Sequence, residues 1–148
     1  MSEATAKMGW VCPKCGRRFA KVNQGHKCET WTLDVHLTGK PDSSIQLFKR
    51  FIELVQACGD FEYSITKANI GLRGQKRIFA GVMPTDKGLS GYIDITHPID
   101  DPRIRNVSPY TKRLFVNHFS VTSLDQLDEA FARWICETYA VGQGEHLK

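Results

Sequence analysis

Two stretches of the chain carry apolar residues at the three- and four-residue spacing of amphipathic helices. The first helix is predicted to begin at Ser43 or Ser44, either of which can act as N-cap, and to end at Gly59. The second is predicted to begin with a capping box formed by Ser123 and Gln126. The apolar stripes are Ile45, Phe48, Ile52 and Val55 in the first helix, and Leu124, Leu127, Phe131, Trp134 and Ile135 in the second.

Between these helices, β-branched and aromatic residues alternate with polar ones in five short segments, which is typical of strands. The segments are residues 61–66, 69–73, 77–83, 89–96 and 114–121. Residues 97–113 contain three prolines, and we expect a long crossover loop there. The pattern predicts an α+β domain with an antiparallel sheet of about five strands and two main helices packed on one face.

Sorting each strand at period two separates an apolar face, which is expected to meet the helices, from a face of mixed composition. The mixed face carries Glu62, Ser64, Asn69, Arg73, Arg77, Phe79, Met83, Tyr92, Asp94, Leu114, Val116 and His118. Aromatic rings beside arginines suit a platform on which bases stack and phosphates pair with guanidinium groups. The alternative is that the N-terminal part of the chain, the long loop or a second subunit covers this face.

Four residues near the start of the chain, Cys12, Cys15, His26 and Cys28, have the types and spacing of a tetrahedral zinc site. Gly16 permits the tight turn after the first cysteine pair. Four protein ligands close the site to an activated water, so the expected role of the zinc ion is structural. His36 is an alternative to His26 as fourth ligand, because it lies a short distance beyond Cys28.

The position of these ligands predicts two parts, a zinc-knuckle module at residues 1–36 and an α+β domain at residues 37–148. The ligand spacing matches neither the two-cysteine, two-histidine DNA-reading finger nor the retroviral knuckle. The nucleic-acid function of those modules is therefore not transferred to this one.

Charge and composition limit the partners and the compartment. The chain has 20 Lys and Arg against 16 Asp and Glu, a net charge of +4, which permits an anionic partner without requiring one. No run of residues approaches the roughly 18 apolar positions of a membrane span, and no secretory leader is recognisable. Five cysteines, an odd number, favour a reducing cytoplasm over a disulfide-bonded secreted domain.

We consider two hypotheses for the function of the α+β domain, and the candidate ligand-binding residues are drawn from both. In the first, a binding module engages nucleic acid or another anionic partner; in the second, a small enzyme or ligand-binding protein has a pocket beside the 97–113 loop. The candidate residues are Lys67, Arg73, Arg77, Phe79, Tyr92, Arg103, Tyr110 and His118. A third alternative is a structural domain that forms a homodimer through its mixed face.

No catalytic residue is predicted. The sequence lacks a P-loop, a nucleophile elbow, a zinc-protease helix and a dinucleotide fingerprint. Asp94, His97, Asp100 and Asp101 form a cluster whose alternative roles are hard-metal binding or acid–base chemistry, but ordinary turn chemistry explains these residues. Cys58 and Cys136 lie on or beside helix stripes and are expected to be packing residues. The sequence therefore favours the binding module over the enzyme.

Several phrases scattered along nearly the whole chain resemble a bacterial family known as domain of unknown function 5655, whose members often begin with a zinc knuckle. The phrases are residues 10–19 with His26 and Cys28, Thr66-Lys67 before Ile70, Phe79-Ala80-Gly81-Val82, Asp101-Pro102-Arg103-Ile104 and Ala140-Val141-Gly142. The resemblance implies an α+β fold and a bound metal, and it implies no activity.

Overall fold

The computed structural model describes residues 32–147, together with the backbone of Trp10–Val11 and Arg18–Phe19. The chain divides into two compact units, Met1–Thr32 and Leu33–Lys148. This division lies four residues nearer the N-terminus than the one that the sequence predicts. The reason is a short helix, α1 (Leu33–Leu37), in which His36 is buried and hydrogen-bonded to the second unit through the Thr66 carbonyl.

In the first unit, the described backbone is a pair of antiparallel strands, β1 (Trp10–Val11) and β2 (Arg18–Phe19). Trp10 lies opposite Phe19 and Val11 opposite Arg18. The predicted zinc ligands Cys12, Cys15, His26 and Cys28 lie outside the described residues.

The second unit contains the two main helices. The first begins near the predicted position, whereas the second begins at Glu129, beyond the capping box at which the sequence predicts its start. Helix α2 (Asp42–Gln56) starts after Pro41 and buries its apolar stripe from Leu47 to Val55. The expected serine caps lie inside its first turn, and the buried Ser44 hydroxyl instead donates to the Thr85 carbonyl at 2.6 Å. Helix α3 (Glu129–Gly142) is capped by the carboxylate of Asp128, which accepts from the Phe131 amide.

The predicted capping box is present, but it belongs to a separate 3₁₀ turn, Leu124–Gln126, that precedes α3. The Gln126 side chain accepts from the Ser123 amide at 3.1 Å. The chain bends between the two elements because Leu127 has a non-helical backbone (φ −93°, ψ 62°).

The sheet of this unit is antiparallel and has six strands, confirming the α+β class and adding one strand to the predicted five. The strands are β3 (Glu62–Ile65), β4 (Ile70–Arg73), β5 (Ile78–Pro84), β6 (Leu89–Ile95), β7 (Ile104–Pro109) and β8 (Phe115–Val121). Their order across the sheet is β3-β4-β5-β6-β8-β7.

The additional strand, β7, lies within the segment that the sequence predicts as a crossover loop. It is an edge strand and pairs only with β8, where Val107 lies opposite Asn117 and Ser108 opposite Val116. Edge strands tolerate proline because one side of their backbone needs no partner, so Pro109 can end the strand. The prediction of a loop over the whole of residues 97–113 is therefore wrong.

The core lies between the two helices and one face of the sheet. Rings of α2, α3 and β8 meet at its centre, where the centroid of Phe119 lies 5.6 Å from that of Phe51 and 5.2 Å from that of Phe131. All three side chains are at most 2% exposed, so each contributes on the order of 2 kcal/mol of hydrophobic stabilisation. Among the described residues, none of the helices has the length and the apolar character that crossing a membrane requires.

Candidate anion-binding site

Two hairpin connections meet at one end of the sheet and bring basic residues together. Strands β5 and β8 are both antiparallel to β6, which lies between them, so their first residues lie at the same end. The connection before β5 and the connection before β8 border a pocket of about 530 Å³. We call this the basic pocket, and its lining residues are Lys76, Arg77, Thr111, Lys112, Arg113, Leu114, His146 and Leu147.

The lining residues of the basic pocket include four Lys and Arg and no carboxylate. Lys76, Lys112 and Arg113 are exposed, and Arg77 is half-buried. Like charges this close repel one another in the absence of a ligand. An anion in the pocket would reduce that repulsion, which makes the arrangement suited to phosphate or carboxylate groups.

The end of helix α3 forms one wall of the basic pocket. The Gly142 carbonyl accepts hydrogen bonds from the Lys76 amide at 2.8 Å and the Arg77 amide at 3.3 Å. A Cβ atom at Gly74 would lie only 2.6 Å from the Gly142 oxygen, so the hairpin requires glycine there to approach the helix. This contact places the final turn, Glu145–Leu147, beside the hairpin.

His146 faces the cations of the pocket with a buried ring nitrogen. Arg113 donates from Nη1 to the His146 carbonyl at 2.9 Å. Among the described residues, Nδ1 of His146 has no hydrogen-bond partner. Burial lowers the pKa of His146, and the charges of Arg77 and Arg113 lower it further. The imidazole is therefore neutral near pH 7 and can donate one hydrogen bond to a ligand.

A buried ion pair anchors the innermost cation. Arg77 donates from Nη2 to Oδ2 of Asp94, whose side chain is 5% exposed. Burial raises the pKa of Asp94 to about 6, although Arg77 acts in the opposite direction. The guanidinium of Arg77 also lies 5.3 Å from the centre of the Tyr110 ring, which is 62% exposed. Asp94 thus orients Arg77. At the rim of the pocket, the guanidinium of Arg77 lies over the ring of Tyr110.

The outer face of the sheet, away from the helices, carries one row of residues that crosses all the strands. The members of this row on β3, β4 and β5 are small, and those on β6 and β8 have rings. Cross-strand pairing aligns this row over all six strands, as Ser64, Gly71, Gly81, Tyr92, His118 and Asn106. The ring of Tyr92 lies over Gly81, where a Cβ would be 2.5 Å from the tyrosine Cε1, and its centroid is 6.3 Å from that of His118.

A groove of about 610 Å³ follows this row, and we call it the outer groove. It is lined by Ala68, Asn69, Gly81, Val82, Met83, Ser90, Gly91, Tyr92, Arg105, His118, Phe119 and Ser120. Burial raises the pKa of Tyr92, and the charge of Asp94 adds to that rise. Tyr92 therefore lies close to Asp94, the carboxylate that pairs with Arg77.

Of the predicted ligand-binding residues, Tyr92 and His118 line the outer groove and Arg77 lines the basic pocket, with Tyr110 beside it. Lys67 is exposed in the turn between β3 and β4, next to Ala68 of the outer groove. Arg73 is half-buried at the end of β4, opposite Glu62.

The assignment of Phe79 to the mixed face is wrong, because a β-bulge changes the direction of its side chain. Leu72 pairs with Ala80 and Arg73 pairs with Ile78, so Phe79 is the extra residue of β5. Its ring is fully buried on the helix side, 5.6 Å from that of Tyr139. Phe79 is a core residue and is unavailable for stacking on a ligand.

Arg103 is part of a structural cluster rather than a free cation. Its side chain is 11% exposed and donates to both oxygens of Asp101, to Oδ1 of Asp128 and to the Gln126 carbonyl. The guanidinium also lies 4.6 Å from the centre of the Trp134 ring. These contacts raise the pKa of Arg103 and lower that of Asp101 and Asp128, mainly through the hydrogen bonds between them.

The second hypothesis requires Arg103, Tyr110 and His118 to meet beside the 97–113 segment. Arg103 precedes β7 and Tyr110 follows it, so the extended strand separates them by roughly 20 Å. His97 pairs instead with Glu137, its Nε2 lying 2.8 Å from Oε1. Within the described residues, no group of three or more His, Cys, Asp and Glu side chains is arranged to hold a metal ion.

Sequence reasoning missed Lys112 and His146 as members of the candidate site. Their convergence with Arg77 depends on the strand order and on the path of the chain after Gly142, and no local pattern encodes either. The adjacent basic residues at 76–77 and 112–113 were the available signal, since each pair lies in a turn before a strand.

His36, the alternative zinc ligand, has one ring nitrogen engaged in the second unit. Its Nε2 lies 2.7 Å from the Thr66 carbonyl oxygen, which can only accept, so Nε2 must carry the proton.

Comparison of the chain with models of protein families, with curated proteins and with solved structures finds no match.

Proposed function

We propose that this protein is a binding module for a polyanionic partner, with single-stranded nucleic acid as the principal candidate. The observation that supports this proposal most directly is the convergence of Lys76, Arg77, Lys112 and Arg113 on one pocket without an acidic lining residue. Single-stranded nucleic acids are bound by cations that contact phosphates and by rings on which bases stack.

The rings and the cations are arranged for these two contacts. Tyr110 is exposed at the rim beside Arg77, so a base could stack on its free face while Arg77 and Lys112 contact the flanking phosphates. The outer groove is lined by Tyr92 and His118, and its small residues leave room for a further nucleotide. Contacts to the phosphate backbone of a nucleic acid do not depend on which bases are present. We therefore expect the protein to show only a weak preference for particular bases.

Salt dependence provides the first test. Four phosphate contacts to a single strand predict that log K falls with log salt concentration with a slope of about −3. We expect fluorescence anisotropy with labelled single-stranded DNA and RNA, at several salt concentrations, to show this slope, and duplex DNA of equal length to bind more weakly. A slope near zero, or equal binding of the duplex, contradicts the proposal.

A matched pair of double variants separates the basic pocket from net charge. Lys76→Ala with Lys112→Ala removes two exposed lysines of the pocket, and Lys49→Ala with Lys87→Ala removes two exposed lysines elsewhere. The pocket variant is expected to lose roughly tenfold or more in affinity and the other less than threefold. Equal losses would show that the basic pocket is not the binding site. Sedimentation of the free protein would reveal a homodimer that occupies the outer groove instead.

We further propose that the first unit is a structural zinc module held by Cys12, Cys15, His26 and Cys28. The pairing of Trp10–Val11 with Arg18–Phe19 supports this, because it joins the backbone on both sides of the first two cysteines. A bound zinc would cross-link the unit, and cysteine and zinc together indicate a reducing compartment such as the cytoplasm.

Elemental analysis of protein purified without added metal tests the zinc proposal. We expect about one zinc per chain, lost in Cys15→Ser and His26→Ala and retained in His36→Ala and Cys58→Ser. Zinc lost in His36→Ala but kept in His26→Ala would assign the fourth ligand to His36. Wild-type protein without zinc would refute the module.

A further inference from the structure

Cys58 and Cys136 lie far apart in sequence and side by side in the fold. Cys58 follows the end of α2, Cys136 is in the second half of α3, and their sulfur atoms are 3.0 Å apart. Among the described residues, these two cysteines are present as free thiols. A disulfide bond requires about 2.04 Å between sulfur atoms, so the pair needs to approach by only about 1 Å.

The backbone around the pair is held in place by contacts that do not involve either sulfur. The Tyr139 hydroxyl, one helical turn beyond Cys136, donates to the Asp60 carbonyl at 2.7 Å. Gly59 has a φ of +148°, and a Cβ there would lie 2.3 Å from the Tyr139 oxygen. The amide of Cys58 donates to the Val55 carbonyl at 2.9 Å. The segment after α2 is thus already fixed to α3, and these contacts hold the two sulfur atoms side by side.

The two thiols differ in their exposure to solvent, and this difference predicts which of them reacts first. Cys136 is exposed and accessible to small molecules, whereas Cys58 is half-buried and its Sγ donates toward the Leu54 carbonyl at 3.5 Å. Burial raises the pKa of Cys58 to about 12, with a further rise from its hydrogen bond to Cys136. Because the thiolate is the reactive form, Cys58 is expected to react poorly with external reagents while Cys136 is reduced.

We propose that Cys58 and Cys136 form a reversible intramolecular disulfide in which Cys136 reacts first and Cys58 resolves the product. The oxidant is a low-molecular-weight disulfide of the glutathione type. The Cys136 thiolate attacks one sulfur of the oxidant, forming a mixed disulfide and releasing one thiol that takes up a proton. Cys58 then attacks the Cys136 sulfur, loses its proton and releases the second thiol.

The net reaction oxidises two protein thiols to one disulfide and reduces one small disulfide to two thiols, so electrons and protons balance. Formation of the mixed disulfide also removes the neighbouring thiol that raises the pKa of Cys58. The product joins the segment after α2 to α3 across residues 59–135, which contain all six strands of the sheet. A cross-link over so long a segment restricts the unfolded chain strongly and stabilises the folded domain.

The test incubates the full chain, supplied with zinc, in glutathione disulfide and then alkylates the remaining thiols. Non-reducing peptide mapping is expected to show a linked peptide containing Cys58 and Cys136, with the loss of two hydrogen atoms per chain. The oxidised protein should unfold at a temperature higher by on the order of 10 °C, and a dithiol reductant should reverse both changes.

Single variants distinguish the two roles. Cys58→Ser is expected to stop at the glutathione adduct on Cys136, and Cys136→Ser should leave Cys58 reduced throughout the incubation. The proposal is overturned if wild-type Cys58 and Cys136 both remain alkylatable, if the glutathione adduct persists on wild-type Cys136, or if the linked peptides join two chains. These readouts involve no nucleic acid, so they stand apart from the test of the basic pocket.

Discussion

Arg77 and Asp94 form an ion pair that connects the beginning of β5 to the end of β6 on the outer face of the sheet. Only one carboxylate oxygen of Asp94 takes part, and among the described residues its Oδ1 has no hydrogen-bond partner. A buried carboxylate with half of its hydrogen-bonding capacity unused is costly to ionise, and this explains why burial outweighs the guanidinium in setting the pKa of Asp94.

This pair predicts an unusual pH dependence of stability. The pKa of Asp94 rises from 3.8 to about 6 on folding, so between these values the folded state holds a proton that the unfolded state releases. The contribution of Asp94 to the free energy of unfolding should therefore decrease as pH rises from about 4 to about 6, by on the order of 3 kcal/mol, and stay constant above that. Urea denaturation at intervals of half a pH unit measures it.

The control is Asp94→Asn, which stays neutral and should lack that decrease. The shifts of Asp101 and Asp128 are downward, so their contribution is gained with rising pH and lies below about pH 4. The pKa of His97 is raised above 6.5 by Glu137, so its contribution is lost at higher pH. The pKa of His146 is lowered from 6.5, so its contribution grows as pH rises toward that value, opposes that of Asp94 and is the same in both proteins. If Asp94→Asn retains the wild-type slope between pH 4 and 6, another group is responsible.

Arg103 gives a second prediction, on stability alone. Arg103→Ala removes hydrogen bonds to Asp101, Asp128 and the Gln126 carbonyl together with the stacking on Trp134, and should cost about 2–4 kcal/mol in the free energy of unfolding. Arg103→Lys keeps the charge but cannot form the paired bonds to Asp101, so we expect an intermediate loss.

Arg105→Ala is the matched control for Arg103. Arg105 is exposed and lies two residues further along the chain, in β7, and its loss should change stability by less than about 0.5 kcal/mol. Equal effects of Arg103→Ala and Arg105→Ala in chemical denaturation would contradict the structural role of Arg103.

A helix or strand of this fold could be predicted from the sequence where one of its sides is buried, because burial imposes a regular pattern of apolar residues. The α2 stripe and the alternation in β5, β6 and β8 reflect burial against the core, and their predicted bounds agree with the structure to within three residues. Strand β7 lacked such a signal, because as an edge strand it leaves Arg105 and Asn106 exposed and contains no regular alternation.

The candidate site was harder to predict than the fold, for two physical reasons. The bulge at Phe79 reverses the face of one side chain, and period-two reasoning cannot detect an inserted residue from composition. The approach of His146 to Arg113 depends on the chain path after α3, a long-range contact. The prediction for Tyr92 is correct because this residue lies in the regular part of β6, where period-two alternation holds.

Thr138 provides a third prediction, because its hydroxyl joins α3 to both central strands. Oγ1 lies 2.6 Å from the Phe79 carbonyl oxygen and 2.9 Å from that of Asp94, and it accepts from the Asp94 amide at 3.1 Å. Thr138→Val keeps the shape but leaves these buried backbone groups without a partner, so we expect a loss of about 1–3 kcal/mol.

Thr138→Ser retains the hydroxyl and loses one methyl group, and should cost about 1 kcal/mol. Thermal unfolding of both variants compares them directly. A serine variant that is no more stable than the valine variant would show that packing, and not hydrogen bonding, accounts for the buried threonine.

Gly74 gives the last prediction and links the fold to the proposed binding site. A Cβ at this position would lie 2.6 Å from the Gly142 carbonyl oxygen, a backbone atom that cannot move without the end of α3. Gly74→Ala should therefore displace the turn Glu145–Leu147 from the hairpin, lower the free energy of unfolding by about 1–3 kcal/mol and weaken oligonucleotide binding.

The control is Gly39→Ala. The φ angle of Gly39 is +80° but no atom lies within 4 Å of the added Cβ, so this change should cost about 1 kcal/mol in the free energy of unfolding and leave binding unchanged. Anisotropy and denaturation of the two variants, measured in the same buffer, separate a local displacement at the basic pocket from a general loss of stability. Unchanged binding in a destabilised Gly74→Ala would mean that the final turn contributes nothing to the pocket.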